Sequence, residues 1–192
     1  MSSTNRGYKR HKSDYYITPM EKIEHFLQEF ILHEPEAFKG EILDPCAGGD
    51  AYHDMSYPLA IKRVIGKKTD TIDIREDSRA EKKLNFLESN QFDKLYHVVI
   101  TNPPFDISMD IIHKSLEVVG DGGFVIMLLR LNYFGGKVRS HIWENFMPKY
   151  CFVHNRRMSF TDNGKTDSIE YAHFVWQKGY DTDFTRLMVL TE

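Results

Sequence analysis

Cysteine is scarce in this 192-residue chain: only Cys46 and Cys151 occur, with no CxxC pair and no paired histidine beside either. That argues against a disulfide scaffold and against a metal site, and it fits a reducing cytoplasm. Apolar runs of membrane-spanning length are missing too, and the opening "MSSTNRGYKRHKSDYY" lacks the core of a signal peptide. The expectation is a soluble, cytoplasmic protein with no membrane partner. There is no GxGxxG turn and no GKS or GKT, which removes the dinucleotide fingerprint and the P-loop from consideration. No internal repeat and no low-complexity linker divides the chain.

What is present suits a packed domain. A hydrophobic content of 41%, with 13% aromatics, can fill a substantial core and is incompatible with wholesale disorder. The net charge of −3 is unevenly spread. Residues 1–13 hold Arg6, Lys9, Arg10 and Lys12 with no acid, so the remainder sits near −7. We read 1–13 as a flexible basic arm suited to a polyanion, and 14–192 as a single domain.

The hydrophobic pattern alternates between periods. "PMEKIEHFLQEFIL" has helical spacing behind Pro19, and "GEILDPCAGG" is a strand entering a glycine turn. "AYHDMSYPLAIKRV" predicts a helix interrupted near Pro58, "TDTIDI" a strand and "KKLNFLE" a weaker one. "LYHVVI", "GGFVIMLL", "YCFVHN" and "SIEYAHFVWQ" complete the strands, with helices over "ISMDIIHKSLEVV" and "VRSHIWENFM". This order predicts an α/β fold with a Rossmann-like, mostly parallel sheet of seven strands and helices on both faces. The last two strands have no helix between them, so they pair as a hairpin and the last strand is antiparallel.

In such sheets ligands bind beyond the carboxyl ends of the strands, where strand order reverses. The first strand delivers Asp44, Cys46, Gly48 and Asp50 to that edge, and "TIDIRED" delivers Asp73 some 29 residues after Asp44. Acids at those two points suit an adenosine-type cofactor without a pyrophosphate. A further strand stops at "TNPPF". Two consecutive prolines hold the backbone rigid, so the Pro103 carbonyl and the Asn102 side-chain oxygen form two acceptors at a set separation. An exocyclic amino group offers two donors, and Phe105 adds a face for a planar ring.

These elements together resemble the class I S-adenosylmethionine-dependent amino-methyltransferases, especially the adenine-N6 DNA methyltransferases. The family's Asp/Asn/Ser-Pro-Pro-aromatic motif is similar to Asn102, Pro103, Pro104 and Phe105, and its glycine turn to "LDPCAGGD". Its aromatic-x-Thr-Pro element resembles Tyr16, Thr18 and Pro19 in "YYITPMEKI", and its second acid corresponds to Asp73. The tract "RRMSFTDNGKTDSIEYAHFVWQKG" resembles small phage-encoded relatives, and the resemblance spans residues 14–178. Asp50 stands where the family commonly has glycine, and Asn85 where an acid often precedes the aromatic, here Phe86.

The resemblance implies S-adenosylmethionine as cofactor, held by Tyr16, Thr18, Pro19, Asp44, Cys46, Gly48, Asp73, Asn85 and Phe86. It implies methyl transfer to adenine N6 in DNA, with Asn102, Pro103, Pro104 and Phe105 catalytic and no cysteine nucleophile. A base hidden in a duplex must be flipped and stacked. For that we expect Phe160 as the second stacking face, and Arg156, Arg157 and Lys165 as phosphate contacts. Tyr133, with Phe134 and Lys137, competes for these roles from the loop "LNYFGGKVR". Two alternatives remain: amino groups of RNA bases or of glutamine share the chemistry, and an inactive nucleic-acid-binding module shares the fold. A separate target-recognition domain is not expected.

Overall fold

The structure, a computed structural model, describes residues 16–90, 92–160 and 168–191. The basic arm and Lys165 lie outside the described residues. Helix α1 (Met20–His33) starts behind Pro19, whose φ of −58° suits a helix entrance. Ile23, Phe26, Leu27 and Phe30 repeat at helical spacing and are all fully buried. Glu21 in its first turn and His33 in its last complement the helix dipole.

Strand β1 (Ile42–Asp44) leads to α2 (Ser56–Val64), β2 (Asp70–Asp73) and the two-residue β3 (Lys82–Lys83). The expected interruption at Pro58 is absent. Pro58 falls in the first turn of α2, where a backbone N–H has no helical partner to lose. Strand β4 (Tyr96–Thr101) is followed by α3 (Ser108–Val118) and β5 (Val119–Arg130). Two short 3₁₀ turns and α4 (Ser140–Asn145) then lead to β6 (Tyr150–His154), β7 (Tyr171–Gln177) and β8 (Arg186–Leu190).

Among the described residues the sheet has eight strands in the order β3-β2-β1-β4-β5-β7-β6-β8, one more than expected. Strand β7 runs antiparallel between β5 and β6, and the added β8 runs parallel to β6 at the edge. Its sequence "RLMVL" is half exposed, with Leu187 54% and Val189 53% accessible, so it carries little of the burial that marks a central strand.

Helices α1 and α2 cover one face and α3 and α4 the other, giving two cores. Successive strand residues divide between them: Phe124, Ile126 and Leu128 join the α1 side, and Val125, Met127 and Leu129 the α3 side. That is why β5 reads as a continuous apolar run rather than an alternating one. Strand order reverses between β1 and β4, which pair in parallel with Leu43 opposite Val99. The exits of these two strands therefore flank the crevice where such sheets bind ligands.

Candidate functional site

The turn leaving β1 is built around Gly48 and Gly49, at φ of 67° and 73°. Both lie in the left-handed region that side chains disfavour. A Cβ on Gly49 would stand 2.9 Å from Met55 Cγ and 3.1 Å from Arg79 Cβ, so nothing larger fits. Asp73, leaving β2, ties this turn down. Gly48 N–H donates to its Oδ2 at 2.7 Å and Arg75 N–H to its Oδ1 at 2.8 Å. The Arg75 guanidinium folds back to donate to the Gly49 carbonyl at 2.6 Å.

Asp44 lies beneath the turn, 1% exposed. Cys46 N–H donates to its Oδ1 at 3.2 Å, and the Thr101 hydroxyl lies against the carboxyl. Burial pushes the Asp44 carboxyl up to about 7, only partly opposed by the Thr101 hydroxyl and the Cys46 amide. Burial, with the neighbouring Asp44 and Asp73 charges, also raises the Cys46 thiol, which therefore stays protonated. Asp50, at the glycine-like position, turns its carboxylate into the loop that follows. Its Oδ1 accepts from Tyr52 N–H at 2.8 Å and His53 N–H at 2.9 Å.

At the exit of β4, the Asn102 amide Nδ2 donates to Thr18 Oγ at 3.0 Å. Thr18 is 3% exposed and stands just ahead of α1, so this bond joins segments 84 residues apart. That contact takes one of the two Nδ2 hydrogens and leaves Oδ1 as the amide's acceptor. Pro103, Pro104 and Phe105 continue the wall of the same recess, opposite the glycine turn and Asp73. Tyr16, Thr18 and Cys46 complete the predicted residues that the fold gathers there.

Three lining side chains were not singled out by sequence: Ser56, Tyr57 and Arg75. Tyr57 is 3% exposed and its hydroxyl is hydrogen-bonded to His173 Nε2 at 2.9 Å. His173 in turn is bonded through Nδ1 to His154 Nε2 at 2.9 Å, so a buried polar chain runs from the recess into the core. No local signal marks Tyr57, because its partner lies 116 positions away on another element.

Aromatic rings extend the site along the sheet edge. The Phe105 ring lies 5.9 Å from Tyr171, Tyr171 4.8 Å from Phe160, and Phe160 6.2 Å from Tyr16. Phe160 therefore sits on the rim, held edge-on by two tyrosines. The Arg130 guanidinium, at the end of β5, covers Phe105 at 4.6 Å.

Other predicted residues fall elsewhere. Tyr133 is 7% exposed: it accepts from the Ser108 hydroxyl at 3.1 Å and packs on Trp143 and Phe174, so it is a core residue. Phe134 packs on the same two rings. Phe86 is 3% exposed and packs against Phe92 in the α3-side core. Asn85 Oδ1 accepts the Leu87 N–H at 3.1 Å, capping a turn. Neither residue lines the recess, since β3 ends after two residues and the chain turns inward. Pro19 caps α1 outside the recess. Arg156 and Arg157 are exposed on the β6–β7 connection, and Arg157 pairs with Glu170 at 3.6 Å. Lys137 opens a 3₁₀ turn and is exposed.

No protein-family model matches the chain, and no curated protein does. Solved structures do. A provisionally assigned RNA methyltransferase from Pyrococcus horikoshii superposes with a TM-score of 0.62 at 16% identity, over 92% of this chain and 94% of that one. A provisionally assigned class I S-adenosylmethionine-dependent methyltransferase from Listeria monocytogenes gives 0.60 at 15% identity, over 92% of this chain and 66% of that one. The M protein of the type I restriction enzyme EcoKI (EC 2.1.1.72) gives 0.59 at 16% identity, over 86% of this chain and 44% of that one. The chain thus spans just under two thirds of the Listeria protein and less than half of the EcoKI subunit. At such identities the likeness is one of architecture: this chain has the Rossmann-like fold of the class I S-adenosylmethionine-dependent methyltransferases.

Proposed function

We propose that this protein transfers a methyl group from S-adenosylmethionine to the N6 amino group of adenine in DNA. The observation that carries the reading is the Thr18–Asn102 hydrogen bond, which orients the Asn102 amide so that its oxygen is the available acceptor. Beside it, the proline pair holds the Pro103 carbonyl in place.

The recess suits the cofactor on two counts. The glycine turn brings backbone close to a ligand without side chains in the way. Asp73 lines the wall at the exit of β2. Asp44 is buried beneath the turn and does not line the recess, so it supports the turn through the Cys46 N–H. Tyr16, Cys46, Gly48 and Asp73 would hold that cofactor, which supplies an activated methyl on a sulfonium centre. Neither Asn85 nor Phe86 is part of this set.

The N6 lone pair of adenine is delocalised into the ring and is a weak nucleophile. Asn102 Oδ1 and the Pro103 carbonyl accept its two hydrogens, favouring a pyramidal nitrogen with its lone pair directed outward. This is positioning and electrostatic preorganisation, with no covalent intermediate on the protein. Phe105 and Phe160 offer aromatic surface to a base removed from its stack. By sequence, the positive charge for phosphates is concentrated in residues 1–13 and in the β6–β7 connection.

Incubating the protein with labelled S-adenosylmethionine and unmethylated DNA should produce N6-methyladenine, and Asn102→Ala should abolish it. Label found only in RNA or protein would overturn the substrate, and an absence of cofactor binding would overturn the reaction.

A further inference from the structure

Among the described residues at this edge, Arg130 is a cation whose setting calls for a ligand. It ends β5 opposite Tyr171, the neighbour of Phe105 and Phe160. Its guanidinium stacks over the Phe105 ring at 4.6 Å, while its buried Nε has no hydrogen-bond partner among the described residues. Other cations near the site differ. Arg75 is bonded to Gly49 and lies 3.7 Å from Asp73, Arg157 is paired with Glu170, and Arg139 donates to the Tyr133 carbonyl. A buried guanidinium nitrogen without an acceptor is costly, which makes an anionic ligand the natural completion of the site.

Geometry narrows the class of anion. Stacking on an aromatic face leaves the guanidinium edge, where its N–H fork lies, available to a planar or tetrahedral oxyanion. The part-exposed rings of Tyr16, Phe160 and Phe105 are joined through the buried Tyr171 into an arc that ends at Arg130. Aromatic surface for bases next to a cationic fork is the combination used by sites that take a strand of nucleic acid, one ring stacking and one phosphate paired per nucleotide.

We propose that Arg130 binds the phosphodiester flanking the base that enters the recess, and so sets the register of the strand against Asn102. The inference rests on the reading of the recess as a site for a nucleic-acid base. Arg130 is thus a substrate-positioning residue, acting through the strand, while Asn102 and Pro103 act on the base itself.

Fluorescence anisotropy with a short single-stranded oligodeoxynucleotide, titrated against full-length protein over a series of salt concentrations, tests this directly. Arg130→Gln should bind about tenfold more weakly at low salt, as expected for loss of a charge-assisted hydrogen bond. Its log affinity against log salt should be shallower by about 0.7, the contribution of one phosphate contact on a single strand. Arg130→Lys keeps the charge and should retain the salt slope while losing part of the affinity. Cofactor affinity, measured by calorimetry, should be unchanged in both variants and certifies that they fold. Equal affinity and salt slope in Arg130→Gln and the parent would overturn the proposal, as would a loss confined to cofactor binding. A parent that binds strands through Arg130 yet forms no N6-methyladenine would sustain this inference while removing the proposed reaction.

Discussion

At the scale of single residues, the site depends on side chains whose second contacts decide their chemistry. Asn102 is held by the bond its Nδ2 donates to Thr18, and in the proposed reaction that bond is what turns its Oδ1 toward the incoming amine. Thr18→Val keeps the shape and removes that acceptor, leaving the amide able to rotate. We expect single-turnover methyl transfer to slow by about ten- to a hundredfold with cofactor affinity retained, the size of losing one preorganised contact. An unchanged rate would show that Thr18 does not orient the amide. Asp44 makes the opposite kind of contribution. Its carboxyl sits at about 7 in the fold against an ordinary 3.8, so its folded form prefers the proton. The stability it confers is fully present below about pH 4 and is lost as the pH rises through 7. Asp44→Asn should therefore melt at a higher temperature than the parent at pH 8, with the difference fading by pH 4, yet bind the cofactor more weakly. A melting difference independent of pH would contradict this assignment.

At the scale of elements, α1 is the piece that joins core to site. Its apolar stripe packs on the sheet, and the residues just before it, Tyr16 and Thr18, enter the recess. Phe26 is fully buried, stacked on the His173 ring at 4.0 Å and on Phe30 at 5.5 Å. Phe26→Ala should cost about 3–5 kcal/mol in denaturant unfolding, the usual range for emptying such a position. The glycine turn carries a local prediction of its own. Gly49→Ala combines a φ of 73° with a Cβ 2.9 Å from Met55 Cγ, so the turn must shift. We expect cofactor affinity to fall at least tenfold while the melting temperature drops only slightly, because the turn lies outside both cores. An equal loss in both would assign Gly49 to stability instead.

Legibility differed between these elements for physical reasons. The period of 3.6 in α1 and the apolar run of β5 are written locally, since each reports which sides of the element are covered. Pro58 misled because a proline in a first helical turn breaks nothing, and local pattern does not reveal which turn it occupies. Strand β8 escaped notice because an edge strand buries one side at most. Asn85, Phe86 and Tyr133 stood in plausible loops, but turns of a few residues decide whether a side chain faces the recess or the core.

At the scale of the whole molecule, the chain Tyr57–His173–His154 links three elements through the α1-side core. Burial, reinforced by the neighbouring His154, holds His173 well below its ordinary 6.5. The unfolded chain therefore binds a proton that the folded one refuses, and stability falls as the pH drops below about 6.5. Asp44 works the other way over part of that window, so the comparison must be made against a variant. Unfolding midpoints from pH 7.5 to 5 should decline more steeply in the parent than in His173→Gln. Parallel curves would show that His173 titrates normally.

The sequence by itself determined the alternation of strands and helices, the two-faced burial, the glycine turn and the rigid Asn-Pro-Pro-Phe exit. Those follow from local sterics and from hydrophobic period, which act between neighbours in the chain. Only the tertiary structure decided that Thr18 orients Asn102, that Asp44 is buried beneath the turn, and that Arg130 stacks on Phe105. Each of these is a contact between separate elements, set by the parallel register of β1, β4 and β5 and by where α1 packs. A side chain's chemistry depends on the dielectric and the partners around it, and those exist only once the sheet has formed.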